Sequence, residues 1–172
     1  MADPLLNSVD AFDEQDVLPL AVVLVRRPSR SRWQSHSWTV TGVVAGEVAA
    51  TLGRDRLCVH TAPEETRYLC GGLNLELHED EGESYHHNLT TDAPAVFVIS
   101  RADASGEPRP FLATVSYAEA SAYLEGDAEV QPVPMPPEIY RWVEAYVVHN
   151  YVPQERKKRK RQDWFREDGR EG

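Results

Sequence analysis

From Pro19 onward the chain is cut into short β-rich runs, AVVLVRR, SHSWTVTGVV, RLCVHT, RYLCGGLNLELH, SYHHNLT, AVFVISR and FLATVSY. Each has the length of a strand, and Pro, Gly, Asp or Ser stands between successive runs at hairpin-like spacing. The pattern predicts a mainly β (α+β) domain: an antiparallel sheet or a partial barrel. Helical periodicity arrives late. SYAEASAYLEG fits a short helix with Ser116 as its cap, Glu119 as capping-box partner and Gly126 as its end. After a proline-rich bridge, VQPVPMPP, Pro136 and Pro137 open a stronger helix over 137–150. There Ile139, Trp142, Val143, Tyr146 and Val147 recur at helical spacing, so one apolar stripe is expected to lie on the sheet and close it.

At 172 residues, 41% of them hydrophobic, the chain suits one domain, which we place at 17–152. Residues 1–16 carry five acids and no sustained period, and they read as a flexible acidic leader. Residues 153–172 read as a flexible basic tail. The net charge is −10, yet the tail holds eight Lys and Arg against five acids, six of the cations in an unbroken run from Arg156 to Arg161. An acidic body thus carries a basic end.

LPLAVVLV at 18–25 is far shorter than the roughly 20 residues of a membrane span, and acids precede it. With two cysteines and no export signal, a reducing, cytoplasmic setting is expected, without membrane attachment. The sequon Asn88-Leu89-Thr90 carries little weight in that setting.

One hairpin is predicted in register. With Asp80-Glu81-Gly82 as a three-residue loop, Leu77 faces Tyr85, Leu75 faces His87 and Leu73 faces Leu89, while Glu76 and His86 share the polar side with Asn74 and Asn88. In that register His78, His86 and His87 do not converge. HEDEGESYHH therefore reads as a solvated hairpin tip rather than a metal site.

Neither of the two usual phosphate-cradling motifs occurs, nor does a G-x-S-x-G elbow. Three constellations remain. Pairing across APEET would set Cys58 opposite Cys70 with His60 on the same face, a weak candidate for a metal site or thiol pair. Second, Arg26, Arg27, Arg30 and Arg32 crowd beside Trp33 in RRPSRSRWQSHSW, a loop suited to an acidic partner or a phosphate. Trp38 and Val40 share the core face of the following strand, and Trp33 lies on the other. Third, the tail combines Arg156, Lys157, Lys158, Arg159, Lys160 and Arg161 with Trp164 and Phe165. It suits docking on an acidic protein surface, with the aromatics as anchors. Nucleic acid is a less favoured partner, because the acidic body repels phosphates.

PLAVVLVRRPSRSRWQSHSWTVTGVV, EIYRWVEAYVVHNYVP and KKRKRQ together resemble an uncharacterised bacterial protein family of similar length, over about residues 18–161. Members of that family are often encoded beside molybdenum- or tungsten-dependent formate dehydrogenase subunits, and some are labelled molybdenum-cofactor guanylyltransferase. The resemblance implies a link to formate dehydrogenase maturation or regulation. It does not extend to the transferase label, since the first strand here runs into RRPSRSRW where such an enzyme has a glycine-rich LAGG-type loop. No catalytic residue and no cofactor is implied. The expectation is a non-enzymatic accessory factor that binds a formate dehydrogenase subunit or a cofactor-maturation protein. A nucleic-acid-binding regulator and a small metal- or thiol-dependent enzyme on Cys58, His60 and Cys70 are the alternatives.

Overall fold

The computed structural model describes residues 16–153; the leader up to residue 15 and the tail from Arg156 to Phe165 lie outside these residues. Seven strands form two antiparallel sheets. The first sheet runs β2 (His36–Ala45), β1 (Val17–Pro28), β4 (Glu65–Glu76), β3 (Arg56–Ala62) in spatial order. The second runs β6 (Pro108–Thr114), β5 (Ala95–Ala102), β7 (Glu129–Pro134). Neither sheet closes into a barrel, so the open antiparallel alternative is the correct one. Four helices complete the order: α1 (Glu47–Ala50), α2 (Gly82–Leu89), α3 (Tyr117–Ser121) and α4 (Pro137–Asn150).

The core follows from period-two burial. On β1, Leu18, Leu20, Val22 and Leu24 are all buried and face the same side, as do Val96 and Val98 on β5. These two faces share one apolar cluster with Leu73 and Leu75 of β4 and Val133 of β7. Helix α4 supplies Ile139, Trp142, Val143 and Val147 to the same cluster, with Tyr146 packed on its margin. Each of these side chains removed from water contributes about 1.5–3 kcal/mol.

The hairpin predicted at 80–82 does not form. A 3₁₀ turn at Glu79–Glu81 leads into α2 instead. Tyr85, His87 and Leu89 alternate like a strand, but the residues buried are Gly82, Tyr85, Asn88 and Leu89, at helical spacing. Gly82 lets α2 approach α4, since a Cβ there would stand 3.1 Å from Cβ of Tyr151. Tyr85 meets Tyr146 edge-on, ring centroids 6.1 Å apart, and its hydroxyl accepts the His78 N–H at 3.0 Å. Burial pushes its phenol up to about 12.

Asn88 is the polar pin of this region. Its Nδ2 donates to the carbonyls of Ala95 and Val115, each at 2.8 Å, and its Oδ1 accepts the Ala95 N–H at 3.0 Å. One side chain thus ties α2 to the start of β5 and the end of β6. Its amide is turned inward, away from any modification at the sequon.

Two further elements differ from the sequence reading. The bridge VQPVPMPP supplies all but the first residue of β7, an edge strand, which is where prolines can enter a sheet. At α3, Ser116 caps as expected and accepts the Glu119 N–H at 3.1 Å. The return half of the capping box is rerouted: Thr114 Oγ1 donates to the Glu119 carboxylate at 2.6 Å and accepts the Ser116 N–H at 3.0 Å.

Asn88→Ala removes three hydrogen bonds and should lower stability by about 3 kcal/mol in urea unfolding. Asn88→Asp should cost at least as much, because it turns a carboxylate oxygen toward two carbonyls.

Candidate functional site

At the end of the sandwich where β1 passes into β2, cations and aromatics replace the apolar floor. Arg26 continues the inner face of β1 beyond Leu24. Its guanidinium lies 5.9 Å from the Trp38 ring centre and 5.6 Å from that of Tyr68, and those two rings are 5.4 Å apart. Arg56 of β3 covers Trp38 at 4.6 Å. These distances lie within cation–π range, so Trp38 is held by two guanidinium groups.

Arg56 also reaches across to the β5–β6 hairpin. Its Nη1 pairs with the Glu107 carboxylate, and its Nη2 donates to the Pro108 carbonyl at 3.0 Å. Asp103, at the start of that hairpin, accepts the Ser105 N–H at 2.9 Å and the Arg109 Nε–H at 3.1 Å. The backbone N–H of Glu107, together with Arg109 and the Ser105 N–H, holds the Asp103 carboxyl below the usual aspartate range. A second tie joins the sheets, as Gln131 of β7 accepts the Val40 N–H at 2.9 Å through its side-chain carbonyl.

Between these ties opens a cleft of about 530 Å³. Trp33, His36 and Trp38 line one side, Ser100, Arg101 and Glu107 another, and Asp127 and Glu129 the rim near β7. Arg101 pairs with Asp127 at 3.3 Å and lies 4.5 Å from the Phe111 ring centre. The loop that carries Trp33 is folded by its own serines. Ser29 Oγ accepts the Ser31 N–H, Ser31 Oγ accepts the Trp33 N–H, and the Ser29 N–H closes onto the Ser35 carbonyl at 3.0 Å.

The predicted arginine loop is divided by this geometry. Arg26 is engaged with rings. Arg27 donates through Nε at 3.1 Å and Nη2 at 2.6 Å to one oxygen of Glu65, whose carboxyl is held below the usual glutamate range by Arg67 and then Arg27. Arg30 and Arg32 are exposed, and Trp33 is 92% exposed, but in the loop before β2 rather than on the strand face opposite Trp38 and Val40. Val40 is buried and Trp38 packs against the core cluster, in keeping with their shared inner face.

The Cys58, His60 and Cys70 arrangement is not formed. The turn between β3 and β4 pairs Ala62 with Glu65, and a bulge follows between Cys58 and His60. Cys58 therefore faces Tyr68, His60 faces Arg67, and Cys70 faces Arg56. Tyr68 and Arg67 alternate across β4, so the bulge also sends Cys58 and His60 to opposite sides. Cys58 is exposed, whereas Cys70 is buried and donates to the Arg54 carbonyl at 3.1 Å. Burial pushes its thiol up, away from a reactive thiolate. Among the described residues no group of three or more His, Cys, Asp and Glu is placed to hold a metal.

Sequence reasoning did not find Arg56, Ser100, Arg101, Gln131 or the three acids of the cleft. They come from segments 23 to 98 positions away from Trp33, and only the sheet pairing brings them together. The serines at 29 and 31 were the one local signal, since Ser two residues before a loop N–H is a turn-forming arrangement.

The Asp103 and Glu65 carboxyls titrate lower in the folded chain than in the unfolded one. They contribute stability above the unfolded range near about pH 4, and that contribution is lost as pH falls through their folded values. Acid unfolding monitored by circular dichroism should show this loss, and Asp103→Asn should flatten it.

No helix among the described residues is long and apolar enough to cross a membrane. No curated protein and no solved structure matches the chain significantly. A family model does match residues 19–160, spanning both sheets and α4, and the chain thus belongs to the family described as protein of unknown function (DUF3305).

Proposed function

We propose that this protein is a non-enzymatic accessory or assembly factor that acts by protein–protein binding in the maturation or regulation of a molybdenum-dependent formate dehydrogenase. Its partner is an acidic surface on a formate dehydrogenase subunit or on a protein that delivers the cofactor. The observation that carries the docking reading is Trp33, 92% exposed on a loop held by its own serines, directly after two exposed arginines, Arg30 and Arg32. A large aromatic held in water by a structured loop is the residue type and setting of a binding hot spot. Arg30 and Arg32 form no ion pair among the described residues, in contrast to Arg27, so their charge is available to steer association. The six cations from Arg156 to Arg161 extend the same electrostatic attraction. The formate dehydrogenase assignment draws on the resemblance of the strand, helix and tail segments.

Affinity purification from the native host, followed by mass spectrometry, tests both parts. The intact chain should retain formate dehydrogenase subunits or cofactor-maturation proteins, and a version ending at Pro153 should retain less of them. Against the purified partner, Trp33→Ala should weaken binding about thirtyfold, and the double change Arg30→Glu with Arg32→Glu should flatten its salt dependence. Recovery of only nucleic acid and ribosomal proteins, or of nothing specific, would overturn the proposal.

A further inference from the structure

The cleft beside Trp33 holds chemistry that docking on an acidic surface does not use. Ser100 continues the inner face of β5 after Val96 and Val98 and lines the cleft, yet it is a hydroxyl where the pattern calls for an apolar group. It is only 4% exposed, and its Oγ has no hydrogen-bond partner among the described residues. A buried hydroxyl left unpaired is unfavourable, and its persistence in a packed strand points to a group that completes it.

The charges of the lining point to the nature of that group. Glu107, Asp127 and Glu129 face one cation, Arg101, and neither Arg30 nor Arg32 lines the cleft. Glu107 is taken up by Arg56 and Asp127 by Arg101, whereas Glu129 has no ion pair among the described residues. The Trp38 ring is already covered by Arg56 and Arg26, but the face of Trp33 is open. An uncommitted carboxylate, an open indole and a hydroxyl around about 530 Å³ suit an organic cation with a polar end.

We propose that this cleft binds a guanidinium- or amine-bearing ligand. Glu129 pairs with the cation, Trp33 stacks on it, and Ser100 meets its polar end at the floor. The inference shares Trp33 with the docking reading but needs neither the exposed arginines nor the tail, and Glu129 and Ser100, which carry its test, take no part in that reading. The cation belongs either to a free small molecule or to an Arg or Lys side chain of a peptide.

The test uses the full chain labelled with nitrogen-15, with the tryptophan indole signals as readout. Agmatine and N-acetyl-Gly-Arg-Gly-amide are the probes, and propionate is the anionic control. Saturable shifts of the Trp33 and Trp38 signals with either cation, and none with propionate, are expected. Tighter binding of the peptide would assign the cation to a protein side chain, and binding of agmatine at least as tight would assign it to a small molecule. Glu129→Gln and Ser100→Ala should each weaken the probe about tenfold, while Glu144→Gln on the exposed side of α4 leaves it unchanged. Ser100→Ala removes an unpaired hydroxyl, so its melting temperature should match or exceed that of the parent, which separates lost binding from lost folding. No shift at millimolar probe, equal shifts with propionate, or unchanged affinity in both cleft variants would overturn the proposal.

Discussion

Everything in this fold hangs on two apolar sheet faces that can leave water only by covering each other. Leu18, Leu20, Val22 and Leu24 line one, Val96 and Val98 the other, and neither sheet is large enough to curl over itself. The first sheet is complete by Glu76, and the second forms from residues after Pro94. The chain between them must therefore reverse direction and plug the side of the sandwich, which α2 does with Tyr85 and Leu89. Helix α4 then seals against α2.

The cleft follows from the same constraint at the other end. There polar ties take over from apolar contact: Arg56 to the β5–β6 hairpin and Gln131 to the Val40 N–H. Side chains engaged with rings or carboxylates are unavailable for binding, which divides the cations of the region into engaged ones, Arg26, Arg27 and Arg56, and two with no ion pair among the described residues, Arg30 and Arg32. Composition alone gives no means of making that division.

What the sequence revealed depended on how local each signal was. The stripe on α4 and the cap at Ser116 are contained within a few residues, and both appear in the structure as read. The segment from Gly82 to Leu89 was misread because Tyr85, His87 and Leu89 satisfy period two as well as Tyr85 and Leu89 satisfy helical spacing. Only the burial of Asn88 by partners at Ala95 and Val115 decides between them. The Cys58 and Cys70 pairing failed for a related reason: the tighter turn at Ala62 and Glu65 shifts the register by one residue, the bulge before His60 shifts it by another, and nothing in RLCVHT announces a bulge. The cleft was invisible because its residues belong to four strands and three loops.

The prolines of β7 also bear on how the molecule behaves in a crowd. Pro132 and Pro134 sit on an edge strand, opposite Phe97 and Ala95, and neither has an N–H. A second chain seeking to extend this sheet by strand addition would find donors missing at both positions. The far edge of the other sheet, β3, is interrupted by its bulge, which spoils the straight ladder that a foreign strand needs. Amyloid-like growth is thereby obstructed at one end of each sheet, and a protein whose strands carry so much Val and Leu is kept from becoming a template for its own aggregation.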